Sequence, residues 1–130
     1  MIVLDASIVV ELLTNGPLAN AIRHDLAGRS DSFLVPHLLD VEVASALRKL
    51  SSVHSIDSYR SEQVITSLAT LPVERYSHQP LLSRIWELRH NFTAYDAAYI
   101  SLAEATNAIL YTADAKLSKG HRAQVMLFRQ

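Results

Sequence analysis

The sequence predicts an α/β fold in which a mainly parallel sheet is covered by helices on both faces. Short apolar runs alternate with helical patterns along the chain, and such lone buried runs are typical of parallel strands. Hydrophobic residues make up 49% of the chain and charged residues 19%, which supplies apolar material for one core. At 130 residues the chain has the usual size of one domain, and we expect a single domain over residues 1–130.

Four apolar runs and one weaker segment are the candidates for strands. Short apolar runs that are bounded by polar or turn-forming residues favour buried strands. The predicted strands are residues 2–4, 33–35, 108–111 and 125–128. The weaker segment, residues 73–76, fits either a strand or an extended link.

Capping residues, prolines and apolar residues spaced four apart predict the helices between these strands. Ser7 is placed to cap a first helix, and Ser55 to cap one that ends before Pro72. Thr93 starts a helix that continues to residue 105, and Asn107 is its stop signal. The other predicted helical segments are residues 8–13, 17–27, 38–50 and 80–88, with a helical turn at 114–117.

Composition excludes several classes of protein. The absence of cysteine removes disulfides, thiol catalysis and cysteine-based zinc sites, and the six histidines show no close pair at metal-ligand spacing. No apolar run approaches the roughly 20 residues of a membrane-spanning helix, and no basic leader with a cleavage site opens the chain. We therefore expect a cytoplasmic protein that does not associate with a membrane.

Two of the predicted strands are followed by an aspartate. Asp5 comes directly after residues 2–4, and Asp114 follows residues 109–111 by a short step that includes Thr112. In an open parallel sheet ligands bind outside the carboxyl ends of the strands, so that these acids lie where chemistry is expected. A helix cap explains Asp5 equally well, and Ser7 is either a cap or a polar contact at the same site.

Two further acids stand in apolar helical surroundings. Glu42 has no basic partner one turn ahead of it, whereas Asp40 falls about 200° away around the helix and is expected to face water. Asp96, three residues after Thr93, fits either a helix-capping arrangement or an acid that faces inward.

Four acids in one pocket would pose an electrostatic problem, because each raises the pKa of the others. A divalent cation relieves that repulsion, and oxygen ligands favour Mg²⁺ or Mn²⁺. The net charge of −1, from 13 acids and 12 bases, does not suggest a protein that coats nucleic acid. With four acids assigned to a metal site, nine acids remain against the 12 bases, which permits a nucleic-acid substrate.

Four motifs together resemble the successive motifs of PIN-domain nucleases: IVLDAS at residues 2–7, DVEVASAL at 40–47, TAYDAAY at 93–99 and LYTAD at 110–114. Their order, their spacing and the length of the chain resemble the VapC-type toxins of bacterial and archaeal toxin–antitoxin pairs. The resemblance spans residues 2–117. It implies a three-layer α/β/α sandwich with a central, mainly parallel sheet and with the acids at the carboxyl edge of that sheet.

The resemblance also implies roles for individual residues. The family's acidic quartet is matched by Asp5, Glu42, Asp96 and Asp114, and its small hydroxyl positions by Ser7 and Thr112. The implied enzyme is an endoribonuclease that holds Mg²⁺ or Mn²⁺ through Asp5, Asp96 and Asp114. Glu42 would bind metal through water or help to position and deprotonate the attacking water. Some relatives carry a further acid shortly after the fourth, where Ala115 stands here, so the number of metal ions stays open.

Partners follow from the same resemblance. A VapB-like antitoxin would lay its C-terminal segment over the active-site groove and insert a basic side chain among the carboxylates. A homodimer is expected, with the helices around residues 56–71 and 81–88 as candidate contacts, although core packing explains their apolar residues equally well. Candidate phosphate contacts are the basic residues Arg48, Lys49, Lys116, Lys119 and Arg122.

The sequence disfavours two alternatives to a nuclease. A non-catalytic PIN-like module would bind RNA or protein without cleavage, but the presence of all four acids disfavours it. A phosphate-handling protein of another class is disfavoured by spacing. Asp5 lacks the adjacent acid of a receiver domain, and Ser7 stands where a haloacid-type phosphatase has its second aspartate. With three glycines in the chain there is no glycine-rich phosphate loop.

Overall fold

The computed structural model describes residues 1–130 and contains one five-stranded sheet. The strands are β1 (Ile2–Leu4), β2 (Phe33–Pro36), β3 (Glu74–Tyr76), β4 (Ile109–Thr112) and β5 (Gln124–Leu127). Every pair of neighbours is parallel, and the order across the sheet is β3-β2-β1-β4-β5. The predicted parallel sheet is confirmed, and the weaker segment at residues 73–76 forms a strand.

Six helices connect the strands: α1 (Ala6–Thr14), α2 (Ala19–Ala27), α3 (Leu39–Ser52), α4 (Ser58–Ala69), α5 (Leu82–Glu87) and α6 (Ala94–Thr106). Short 3₁₀ turns occur at Gln79–Leu81 and Ala115–Ser118. No helix combines the length and the apolar character that crossing a membrane requires.

Two of the predicted helix caps are wrong. Asp5, and not Ser7, caps α1, because its side chain accepts a hydrogen bond from the backbone N–H of Ile8. Asp57, and not Ser55, caps α4 in the same way. The predicted ends of α6 are confirmed, with Thr93 as its cap and Asn107 in the left-handed conformation after its last turn.

The strand order separates the helices into two layers. The connections through α1–α4 lead from β1 outward to β3, and α5 and α6 lead back across the sheet to β4. Because crossovers between parallel strands are right-handed, the two groups cover opposite faces, as in a three-layer α/β/α sandwich. The direction of winding reverses between β1 and β4, and open sheets of this kind bind ligands at that point of reversal.

The core is formed by the sheet and by α6. β1 is entirely buried, and every residue of α6 from Ala97 to Ala103 is buried as well. α6 packs across β1, β2 and β4, with α5 beside it. The first turn of this buried helix therefore lies at the carboxyl ends of the central strands.

Candidate active site

The ends of β1 and β4 lie side by side and bring Asp5 next to Thr112. Leu4 pairs with Tyr111 in the parallel register, and the backbone N–H of Asp5 donates to the carbonyl of Tyr111 at 3.2 Å. Thr112 is the last residue of β4, and Asp114 follows in the turn after it. Three of the six predicted polar residues therefore come together at the reversal of the sheet.

Asp5 is a buried carboxyl group, with 5% of its surface exposed. Its Oδ1 accepts hydrogen bonds from the Ser7 hydroxyl at 2.6 Å and from the Ile8 N–H at 3.1 Å, and its Oδ2 accepts one from the Thr112 hydroxyl. Burial raises the pKa of Asp5 to about 6, and these hydrogen bonds offset only part of that effect. The side chain that caps α1 is therefore also a buried carboxyl group at the carboxyl edge of the sheet.

Ser7 and Thr112 connect the two strand ends. The Ser7 hydroxyl accepts a hydrogen bond from the Ala113 N–H at 3.0 Å while it donates to Asp5. The Thr112 hydroxyl accepts from the Asp114 N–H at 3.0 Å while it also donates to Asp5. Each hydroxyl thus holds the Asp5 carboxyl against the turn that carries Asp114.

Replacing Thr112 with valine is expected to lower the free energy of unfolding by about 1–3 kcal/mol, because it leaves an Asp5 oxygen and the Asp114 N–H without their buried partners. Chemical denaturation would measure the loss. Thr112→Ser keeps the hydroxyl and serves as the control. A valine variant as stable as the serine variant would show that these two bonds contribute nothing.

Asp96 and Asp114 lie on the adjoining elements. Asp96 is half-buried in the first turn of α6, where its backbone N–H donates to the Thr93 hydroxyl at 3.1 Å. Burial raises the pKa of Asp96, and the charge of Asp114 raises it further. Asp114 accepts from the Lys116 N–H at 2.9 Å, and the Lys116 ammonium lies 3.7 Å from its other oxygen. The Asp96 carboxyl is not needed for the cap, since Thr93 supplies it.

Glu42 is half-buried in the first turn of α3 and faces Tyr99 of α6. Glu42 Oε1 and the Tyr99 hydroxyl are both buried, and neither has a hydrogen-bond partner of normal geometry. Burial raises the pKa of Glu42, and burial together with the nearby carboxylates raises the pKa of Tyr99. Tyr99 is not among the site residues that the sequence predicts, although its position one turn after Asp96 was the available signal.

The four acids form one electrostatic group centred on Asp96. The charge of Asp96 raises the pKa of both Asp5 and Glu42, and Asp114 acts in turn on Asp96. No three acidic or histidine side chains stand close enough to hold a metal ion as they are. The set nevertheless suits a hard divalent cation, since its donors are oxygens, its charges repel one another and Glu42 Oε1 is buried without a partner.

The other charged candidates divide between this site and the rest of the fold. Asp40 does not simply face water, because Arg75 pairs with both of its oxygens at 3.0 Å. The Arg122 N–H donates to Glu104 near the far end of α6, about 15 Å along the helix from its start. Lys49 lies in a groove beside Glu42. Of the predicted phosphate contacts, Lys49 and Lys116 therefore lie near the acids and Arg122 does not.

Comparison with known proteins places the chain in a family. The sequence model of the PIN domain matches residues 2–122. The chain belongs to the PIN domain family. Ribonuclease VapC9 of Mycobacterium tuberculosis is 40% identical over 124 residues, which cover 95% of this chain and 94% of that relative. This similarity places the PIN-domain chain among the VapC ribonucleases and confirms the resemblance and the class of enzyme predicted from its motifs.

Solved structures share the fold of this PIN domain. VapC20 of Mycobacterium tuberculosis, described as a sarcin–ricin loop cleaving toxin, has a TM-score of 0.71 at 15% identity, covering 91% of this chain and 93% of that one. VapBC2 of Rickettsia felis, bound to a DNA fragment from its promoter, has a TM-score of 0.70 at 17% identity, covering 98% of each chain. These similarities confirm the predicted three-layer α/β/α sandwich.

Proposed function

We propose that this protein is the toxin of a toxin–antitoxin pair, an endoribonuclease that hydrolyses phosphodiester bonds of RNA in the cytoplasm. Its active site consists of Asp5, Glu42, Asp96 and Asp114. The observation that supports this most strongly is the grouping of the four acids at the reversal of the sheet, where Asp96 raises the pKa of Asp5 and Glu42 and Asp114 raises the pKa of Asp96. The chain that carries them is 40% identical to a VapC ribonuclease.

The proposed cofactor is Mg²⁺ or Mn²⁺, held by Asp5, Asp96 and Asp114. Nucleases of this family generally depend on a divalent metal. A bound ion lowers the pKa of a water molecule and neutralises charge that develops on the phosphate. Carboxylate oxygens are the donors that these ions prefer, and the repulsion among the acids is relieved when a cation is present.

The other side chains of the site have proposed roles in orienting the acids, in proton transfer and in binding phosphate. Ser7 and Thr112 hold Asp5 in one orientation, so that its carboxyl does not have to be ordered when substrate binds. Glu42 is not one of the proposed metal ligands and is the acid that would position the attacking water and accept its proton; burial raises the pKa of its carboxyl above the ordinary value. Lys116, beside Asp114, is placed to attract a phosphate of the RNA.

The proposed protein partner is a VapB-like antitoxin that covers the carboxylates. A basic side chain inserted among the four acids would form charge-assisted hydrogen bonds with them. The fold of this chain is similar to that of VapBC2 of Rickettsia felis, and this similarity supports the proposal of such a pair. The antitoxin would then compete with the metal and the RNA for the same four carboxylates.

Two copies of the chain are proposed to associate as a homodimer. α4 and α5 expose large apolar side chains, Tyr59 and Ile65 on the first and Leu82 and Trp86 on the second. Exposed apolar surface of this kind is typical of protein interfaces. Light scattering of the purified protein would give the mass of a dimer, and the mass of a monomer at every concentration would contradict the proposal.

The function is tested by incubating the antitoxin-free protein with total RNA and mapping new RNA ends. Discrete cleavage is expected with Mg²⁺ or Mn²⁺ and none with excess chelator. The position of the new ends would identify the substrate. Intact RNA under every metal condition, from folded protein, would instead favour a non-catalytic module that binds RNA or protein.

A further inference from the structure

A groove of about 500 Å³ opens beside Glu42. Its floor is one face of α3, formed by Glu42, Ser45, Ala46 and Lys49, and its walls include Ala6 and Tyr95. Ala6 follows Asp5 in the chain and Tyr95 precedes Asp96, so that two of the acids are attached to the walls. The volume lies within the range of pockets that hold small organic groups.

Tyr95 is an aromatic side chain that the fold does not use. It is 63% exposed, and its ring packs against no other aromatic ring. It also borders a second, apolar groove that is lined by Leu82 and Ile85. Aromatic side chains stabilise a fold mainly through burial, so an exposed ring on the wall of a catalytic groove is available for a ligand.

Lys49 is the cationic group at the other end of the groove. It is exposed and takes part in none of the ion pairs of the structure, whereas Lys116 lies close to Asp114. Lys49 is seven positions after Glu42 in α3, which places the two about 10 Å apart along the helix axis. A free ammonium at this position attracts an anionic group that continues from the acids into the groove.

The chemistry of the groove fits a nucleotide better than a peptide. A nucleobase has a flat face that stacks on an exposed aromatic ring, and its phosphate pairs with a lysine. A basic peptide would meet the carboxylates but would leave Lys49 without an anionic partner. Recognition of RNA commonly uses unpaired bases that are splayed out and stacked in this way.

We propose that the groove beside Glu42 holds one unpaired nucleotide next to the scissile bond of the RNA, with its base stacked on Tyr95 and its phosphate paired with Lys49. This assignment rests on the proposed function of the neighbouring acids. It makes Tyr95 and Lys49 positioning residues for the substrate, because together they hold the base and the phosphate of one nucleotide beside Glu42.

Binding measurements separate this inference from the cleavage activity. The parent protein is Asp96→Asn, which is expected to leave RNA intact, and the probe is a fluorescein-labelled oligoadenylate of about ten nucleotides. Tyr95→Ala is expected to weaken binding by about 5- to 100-fold through the lost stacking, and Tyr95→Phe to bind like the parent. Lys49→Gln is expected to weaken binding. It is also expected to lower the slope of the logarithm of the binding constant against the logarithm of the salt concentration by about one.

Tyr76→Ala is the matched control, because Tyr76 is also an exposed tyrosine, at 38%, and lies on the edge strand β3 outside the groove. It is expected to leave RNA binding unchanged. The proposal is overturned if Tyr95→Ala binds the oligoadenylate as tightly as its parent or if the parent does not bind it. The same conclusion follows if Tyr95→Ala still binds the oligoadenylate like its parent but no longer binds a short arginine-containing peptide. Cleavage of total RNA by the wild-type protein tests the proposed function separately.

Discussion

Replacing Asp5 with asparagine is expected to abolish RNA cleavage and, at the same time, to stabilise the metal-free protein at neutral pH. The pKa of this buried carboxyl is raised from 3.8 to about 6. The folded protein therefore holds the Asp5 proton more tightly than the unfolded chain does. The stability that the protonated group contributes is fully present below pH 3.8 and is lost as the pH rises through about 6.

At pH 7 the ionised Asp5 lowers the free energy of unfolding by up to about 3 kcal/mol. Asparagine carries no charge and remains a good helix cap, so the variant regains most of this stability. Denaturation in chelator over a range of pH values would measure the effect. The advantage of Asp5→Asn should be largest near pH 7 and should vanish toward pH 4.

Asp57→Asn is the control for the helix cap, since Asp57 caps α4 through the Arg60 N–H at 2.7 Å but is exposed. It should bring no gain in stability at pH 7. An Asp5→Asn variant that differs from the wild type by the same amount at every pH would contradict the account of a buried, ionised carboxyl.

Replacing Asp96 with asparagine is expected to lower kcat/KM for RNA cleavage by at least about 100-fold while the fold is kept. Asp96 acts on the pKa of both Asp5 and Glu42, so its loss changes the whole group of acids. Thr93 supplies the cap of α6, and the asparagine backbone can still donate to it. Steady-state cleavage of the mapped RNA, together with a thermal unfolding curve, would measure activity and fold in one preparation.

Glu62→Gln is the control for this second prediction. Glu62 is an exposed acid on α4, and its replacement removes one negative charge at a position outside the site. Its activity should equal that of the wild type. Equal activity of Asp96→Asn and Glu62→Gln would show that Asp96 is not part of the catalytic group.

Most of the fold was predictable because its signals are local. The strands are short apolar runs, and Thr93 and Asn107 mark the ends of α6 by their side-chain chemistry. The two wrong caps, Ser7 and Ser55, have a common cause. An aspartate stands two residues away from each serine and takes the capping bond instead, and the sequence alone does not rank two neighbouring capping residues.

The site was predictable only as a set of candidates, because its contacts join distant segments. For Asp5 the sequence offered a helix cap or an acid at a ligand site, and the structure shows a capping side chain that is also buried at the sheet edge. Asp40 pairs with Arg75, 35 residues further along the chain, and this contact depends on β3 lying beside β2. Tyr99 lies close to Glu42 because of the way α6 packs in the fold. The spacing of apolar residues along a helix does not predict how that helix is aligned with its neighbours.

The central claim is that Asp5, Asp96 and Asp114, from distant parts of the chain, form one divalent-metal site, and a calorimetric titration with Mn²⁺ tests it most directly. The wild-type protein and Glu62→Gln are expected to bind Mn²⁺ with equal affinity. Asp5→Asn and Asp96→Asn are expected to bind it at least about 10-fold more weakly, because each removes a proposed ligand. Equal affinity in all four proteins, or a wild-type protein that cleaves RNA without binding Mn²⁺ or Mg²⁺, would contradict the account.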